Sequence, residues 1–70
     1  MIMPKVTPLS ASEELWHFRG QYFRAFIFSD GVVQLRPCDK GGRTRSTYAV
    51  NSHNGHSRMD AIKWLNENVE

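Results

Sequence analysis

The sequence predicts an α+β domain: an antiparallel sheet of three strands, or four, with a C-terminal helix packed on one face and the option of a short N-terminal helix. Three observations carry this. Residues 21–37 hold two apolar-rich runs around Asp30-Gly31, a dipeptide that marks hairpin turns. Four of the first eight residues of that stretch are aromatic (Tyr22, Phe23, Phe26, Phe28), so a core has to form against it. Near the C-terminus, Ala61, Ile62, Leu65 and Val69 recur at helical spacing behind a Ser57–Asp60 capping signal.

Seventy residues make one domain, and a small one. A chain of this size buries about 60% of the surface its unfolded form exposes, and its core supplies about 3–5 kcal/mol net. The single cysteine, Cys38, rules out an internal disulfide and points to a reducing compartment. The opening MIMPKVTPLS lacks the apolar run of a signal peptide, and no segment is long enough to span a membrane, so a cytoplasmic protein with no membrane partner is expected. So short a chain does not easily form a deep pocket, which argues against an enzyme and against a small-molecule substrate.

The formal net charge is only +2, but it is polarised. Residues 19–58 carry seven basic side chains (Arg19, Arg24, Arg36, Lys40, Arg43, Arg45, Arg58) against Asp30 and Asp39, whereas both ends are acidic. A basic middle steers nucleic acid or an acidic protein surface. Arginines that merely solubilise a sheet give the same pattern.

Taking the chain in order, residues 1–10 contain two prolines and no periodicity, and read as an extended lead-in. Residues 11–20 carry opposing signals. Ser10 with Glu13 fits a capping box and a short helix, while Leu15-Trp16-His17-Phe18 fits a strand turning at Arg19-Gly20. Two strands follow, about 22–29 and 32–37. A two-residue turn at Asp30-Gly31 would pair Phe28 with Val33 and Phe26 with Leu35 on the buried face, leaving Phe23, Ile27 and Val32 outward. A three-residue loop, Ser29-Asp30-Gly31, would bury Phe23, Ala25, Ile27, Val33 and Leu35 and turn Tyr22, Arg24, Phe26, Phe28, Gln34 and Arg36 outward. The two-residue turn makes the better apolar pairs and keeps Arg24 away from Arg36, and is favoured on that ground. Either way the first strand has large apolar residues on both faces, so the N-terminal segment, a second copy or another molecule must cover the second one.

Residues 37–43 read as a loop, and 44–50 as a third strand. Residues 51–56 form a polar connection into the closing helix over 58–68.

Few residues suggest chemistry. His53 and His56 stand as H-x-x-H with Cys38 and His17 elsewhere, but a structural zinc site wants four ligands in close pairs. Cys38 lacks an oriented base and an oxyanion donor, as a nucleophile requires. Cys38-Asp-Lys-Gly-Gly-Arg43 has the glycines of a phosphate loop without its G-x-x-x-x-G-K-[ST] pattern. Glu13-Glu14 suits a helix N-terminus, and Trp16 and Trp64 suit core edges. No catalytic residue, metal ligand or cofactor is assigned.

From about Tyr22 onward, the Asp30-Gly31 hairpin, the Gly41-Gly42-Arg43 turn into a third strand and Ala61-Ile62-Lys63-Trp64-Leu65 in the closing helix resemble the small arm-binding domains of phage-type tyrosine recombinases. That resemblance implies three antiparallel strands with a helix behind and a sheet that reads DNA. The chain also resembles small phage-encoded inhibitors, including certain anti-CRISPR proteins, which implies a protein target. The expectation is therefore non-enzymatic binding to nucleic acid, or to an acidic protein surface in a nucleic-acid-handling complex, through Arg24, Arg36, Lys40, Arg43 and Arg45. The alternative is a protein-interaction or inhibitor module, with homodimerisation included, acting through an apolar face of Phe23, Ile27 and Val32.

Overall fold

A computed structural model describes residues 1–44 and 53–70. The elements are β1 (Lys5–Ser10), β2 (Glu13–Phe18), β3 (Gln21–Ile27), β4 (Val33–Cys38), β5 (His53–Gly55) and α1 (Arg58–Asn68). Each strand pairs antiparallel with the next, giving one five-stranded sheet in the order β1-β2-β3-β4-β5. The α+β class is as expected, with a sheet wider than the three or four strands read from the sequence. The strand expected over 44–50 lies outside the described residues except for Thr44, which bridges Cys38.

The extra width comes from the N-terminus. The lead-in contains β1, and residues 13–18 are strand rather than helix. Alternation in β2 explains the outcome. Trp16 and Phe18, two apart, both point to the helix side and are fully buried there. A helix would rotate them about 200° apart and strand one of them in water. Ser10 and Glu13 serve the hairpin turn instead of a helix cap: the Ser10 hydroxyl donates to Glu13 Oε2 at 3.3 Å and accepts from the Ser12 N–H at 3.4 Å. The β2–β3 connection is a two-residue turn at Arg19-Gly20, both with positive φ. Arg19 is held there by donating from Nη1 to the Val69 carbonyl at 2.9 Å.

The β3–β4 turn corrects the favoured reading. The Phe28 N–H donates to the Val32 carbonyl at 2.9 Å and the Gly31 N–H to the Phe28 carbonyl at 3.0 Å, which closes a three-residue loop. Gly31 sits at φ +91°, a conformation that strains any residue with a Cβ. Asp30 Oδ1 braces the turn by accepting from the Val32 N–H at 3.1 Å. The register is Ala25↔Leu35 and Ile27↔Val33. The neighbouring strand decides it: Trp16 pairs with Phe23, so burying Trp16 forces Phe23 to the same side. The Arg24–Arg36 juxtaposition that argued against this register does occur, and Glu13 relieves it with an ion pair to Arg24 at 2.8 Å.

The helix packs on that buried face. Ser57 caps it, its hydroxyl accepting from the Asp60 N–H at 3.2 Å. Ala61, Ile62, Leu65 and Val69 close over Trp16, Phe18, Phe23, Ala25, Val33 and Leu35 in one cluster. Trp64 meets the Phe23 ring edge-on with centroids 6.3 Å apart. Asn66 ties down the N-terminus, accepting from the Ile2 N–H and donating to the Ile2 carbonyl, both at 2.9 Å. The apolar face expected to await a partner is therefore occupied: Phe23 is fully buried, Ile27 packs against the core, and Val32 is half-buried at the turn. Among the described residues no helix is long and apolar enough to cross a membrane.

Candidate nucleic-acid interface

The sheet face away from the helix gathers most of the polar chemistry. Register places side chains there in cross-strand rows: Lys5, His17, Tyr22 and Cys38 in one, Thr7, Leu15, Arg24 and Arg36 in the next, then Glu13, Phe26 and Gln34. The rows follow from the three-residue loop. Under the other register Tyr22, Arg24 and Phe26 would have faced the core.

The loop after β4 folds onto this face. Asp39 organises it, with Oδ1 accepting from the N–H groups of Gly41 and Arg43, each at 2.9 Å. Backbone bonds from Asp39 N to Arg43 O and from Gly42 N to Asp39 O, each 3.0 Å, complete a tight turn. Gly42 has φ +89°, and a Cβ there would stand 3.4 Å from Arg24 Nη1 and 3.7 Å from Leu9. The loop lies this close because Arg24 pins it, donating from Nη1 to the Gly42 carbonyl at 2.9 Å. The same guanidinium donates through Nε to Glu13 Oε1 at 2.9 Å.

This divides the expected basic residues into two kinds. Arg24 is spent on the fold: it neutralises Glu13 and positions the loop that carries Lys40 and Arg43. Arg36, Lys40 and Arg43 are exposed, and none of them pairs with a described carboxylate. The structure brings these three to the same side of the sheet. Arg45 lies outside the described residues.

Aromatic rings flank the cations. His17 and Tyr22 stack face to face, centroids 4.3 Å apart and planes within 6°. The Arg24 guanidinium lies 5.9 Å from the Phe26 ring centre. Beside Tyr22 is a cavity of about 250 Å³ lined by Gly20, Gln21, Tyr22, Pro37 and Cys38. Burial, then the neighbouring Asp39 charge, pushes the Cys38 thiol above its ordinary range against a smaller opposing effect of Arg24, so the cavity wall is a neutral thiol at pH 7. The His17–Tyr22 stack was not legible in the sequence. The two residues flank a turn whose two-residue length, once known, sets them opposite each other.

The glutamates expected at a helix N-terminus both act across the fold. Glu13 holds Arg24. Glu14 accepts from Arg58 Nη1 at 2.8 Å and from the Trp16 indole N–H at 3.0 Å, joining the helix start to β2. The Arg58 hydrogen bond, aided by Trp16 and by the Arg58 charge, outweighs burial and holds the Glu14 carboxyl below the usual carboxylate range. A lowered native pKa means that this contact stabilises the fold fully above the unfolded value of about 4.3 and is lost as pH falls through the lowered native one. Glu14→Gln is therefore expected to cost about 1 kcal/mol or less at pH 7 and to flatten the loss of stability below about pH 4. Urea melts at pH 7 and pH 3 check this; an unchanged acid slope would remove Glu14 as its source.

Among the described residues no three His, Cys, Asp or Glu side chains converge as a metal site requires. Comparisons with protein-family models, with curated proteins and with solved structures find no match to this chain. Its own geometry is therefore what bears on its function.

Proposed function

We propose that this protein is a non-enzymatic module that binds nucleic acid, alone or within a nucleic-acid-handling complex, through the helix-free sheet face and the 39–43 loop. The observation that carries this reading is the grouping of three exposed, unpaired cations, Arg36, Lys40 and Arg43, beside aromatic rings on one side of the sheet. Cations flanking half-buried rings whose faces remain reachable are the chemistry that holds a phosphate backbone and its bases. Glu13, an acid on that face, is neutralised by Arg24 and so does not repel phosphate. The resemblance to recombinase arm-binding domains, whose sheets read DNA, points the same way.

The test is a titration with short single-stranded DNA, RNA and duplex DNA at two salt concentrations, following backbone amide shifts by NMR. Binding that weakens steeply with salt is expected, with shifts at Arg36 and across residues 39–43. Absence of shifts at low salt would sink the reading.

A protein partner is the second reading, and a different surface favours it. Met1, Ile2, Met3, Val6 and Met59 are exposed. Asn66 anchors Ile2 on the helix side that also carries Met59, two turns away. An inhibitor or a second copy would use this apolar fringe rather than the covered face of Phe23 and Ile27.

A further inference from the structure

The cavity beside Tyr22 deepens the nucleic-acid reading, and the base slot proposed for it rests on that reading. Tyr22 has His17 as its register partner on one side and Cys38 on the other. Its ring lies parallel to His17, so one face is covered and the opposite face turns toward β4. A cavity lies beside the ring, lined by Gly20, Gln21, Tyr22, Pro37 and Cys38. Among the described residues no ring or cation occupies this second face.

We propose that the slot between Tyr22 and Cys38 takes one unpaired nucleobase, stacked on the Tyr22 ring, so that the site selects single strands over duplex. Four features fit that occupant. The His17 stack holds the Tyr22 ring in place before binding, so little side-chain freedom is lost on stacking. The volume of about 250 Å³ lies below the roughly 300–1,000 Å³ of drug-sized pockets, which suits a single base better than a larger ligand. The lining holds no charged side chain and its thiol is protonated, as a neutral base requires. Arg36 and Lys40 stand two positions to either side of Cys38, placed to meet the phosphates that flank a bound base. A paired base cannot enter, because in a duplex both of its faces are covered by stacked neighbours.

The experiment compares the affinities of wild-type protein, Tyr22→Ala and Tyr22→Phe for three probes at one salt concentration. The probes are a short oligothymidylate, a duplex of equal length, and heparin as a polyanion without bases. Tyr22→Ala is expected to weaken oligothymidylate binding by about ten- to a hundredfold, with Tyr22→Phe close to wild type and heparin binding unchanged by either. The duplex should bind the wild type more weakly than the single strand. In wild-type NMR spectra, ring-current shifts at Tyr22 and Cys38 should appear with oligothymidylate and not with heparin, a readout that stands even where Tyr22→Ala damages the fold. Oligothymidylate binding that Tyr22→Ala leaves intact, or identical shifts with both probes, overturns the slot while leaving the basic interface standing. Failure of all three polyanions to bind at low salt overturns both.

Discussion

Phe23→Ala is expected to unfold the domain, whereas Phe28→Ala leaves it folded. Phe23 is fully buried, packed in the cluster under α1 with its ring edge-on to Trp64. Truncating such a side chain costs about 3–5 kcal/mol in lost transfer energy and residual cavity. That is about the whole net stability expected of a domain this size. Phe28, five positions on in the same hairpin, is 49% exposed at the turn, and its truncation should cost less than about 1 kcal/mol. Circular dichroism melts of the two variants discriminate the hairpin registers as well as the core. A two-residue turn would put Phe28 inside and Phe23 outside, and would reverse the two results. A folded Phe23→Ala with a near-native midpoint would overturn the register described here.

Removing the three unpaired cations together, Arg36→Ala with Lys40→Ala and Arg43→Ala, is expected to take about two units off the slope of log affinity against log salt for single-stranded DNA. Each phosphate contact contributes about 0.7 to that slope through released counterions. Binding at low salt should fall by orders of magnitude, yet the melting midpoint should move little, because these side chains are exposed and pair with no described carboxylate. Arg24→Ala should behave in the opposite way. Its guanidinium binds Glu13 and the Gly42 carbonyl, so its loss lowers stability and releases the 39–43 loop. Affinity would fall with it through lost positioning. Salt-dependent binding titrations paired with melts separate the two classes. A slope unchanged in the triple variant would remove these residues from the interface.

Local signals were enough to place β3, β4 and α1. Alternating apolar residues, a turn around Asp30-Gly31 and the Ser57–Asp60 cap each act over a few residues, and each element formed where its signal lay. The basic character of residues 19–58 was equally legible as composition. Which face of β3 is buried was not, because alternation separates two sets of side chains without saying which set faces the core. The choice depended on Trp16, whose pairing with Phe23 brings both under the helix. The same limit applied to residues 11–18, where the capping residues Ser10 and Glu13 served a hairpin turn once Trp16 and Phe18 could be buried together. At the candidate interface, Arg24 was indistinguishable from Arg36 as a sequence letter. Its partners, Glu13 and Gly42, lie 11 and 18 residues away along the chain and meet it only when β2, β3 and the loop after β4 converge. The sequence by itself determined where the strands and helix form and that the middle of the chain is cationic. Only the tertiary structure decided which cations pair among the described residues and which rings stack, because those outcomes depend on partners distant in sequence.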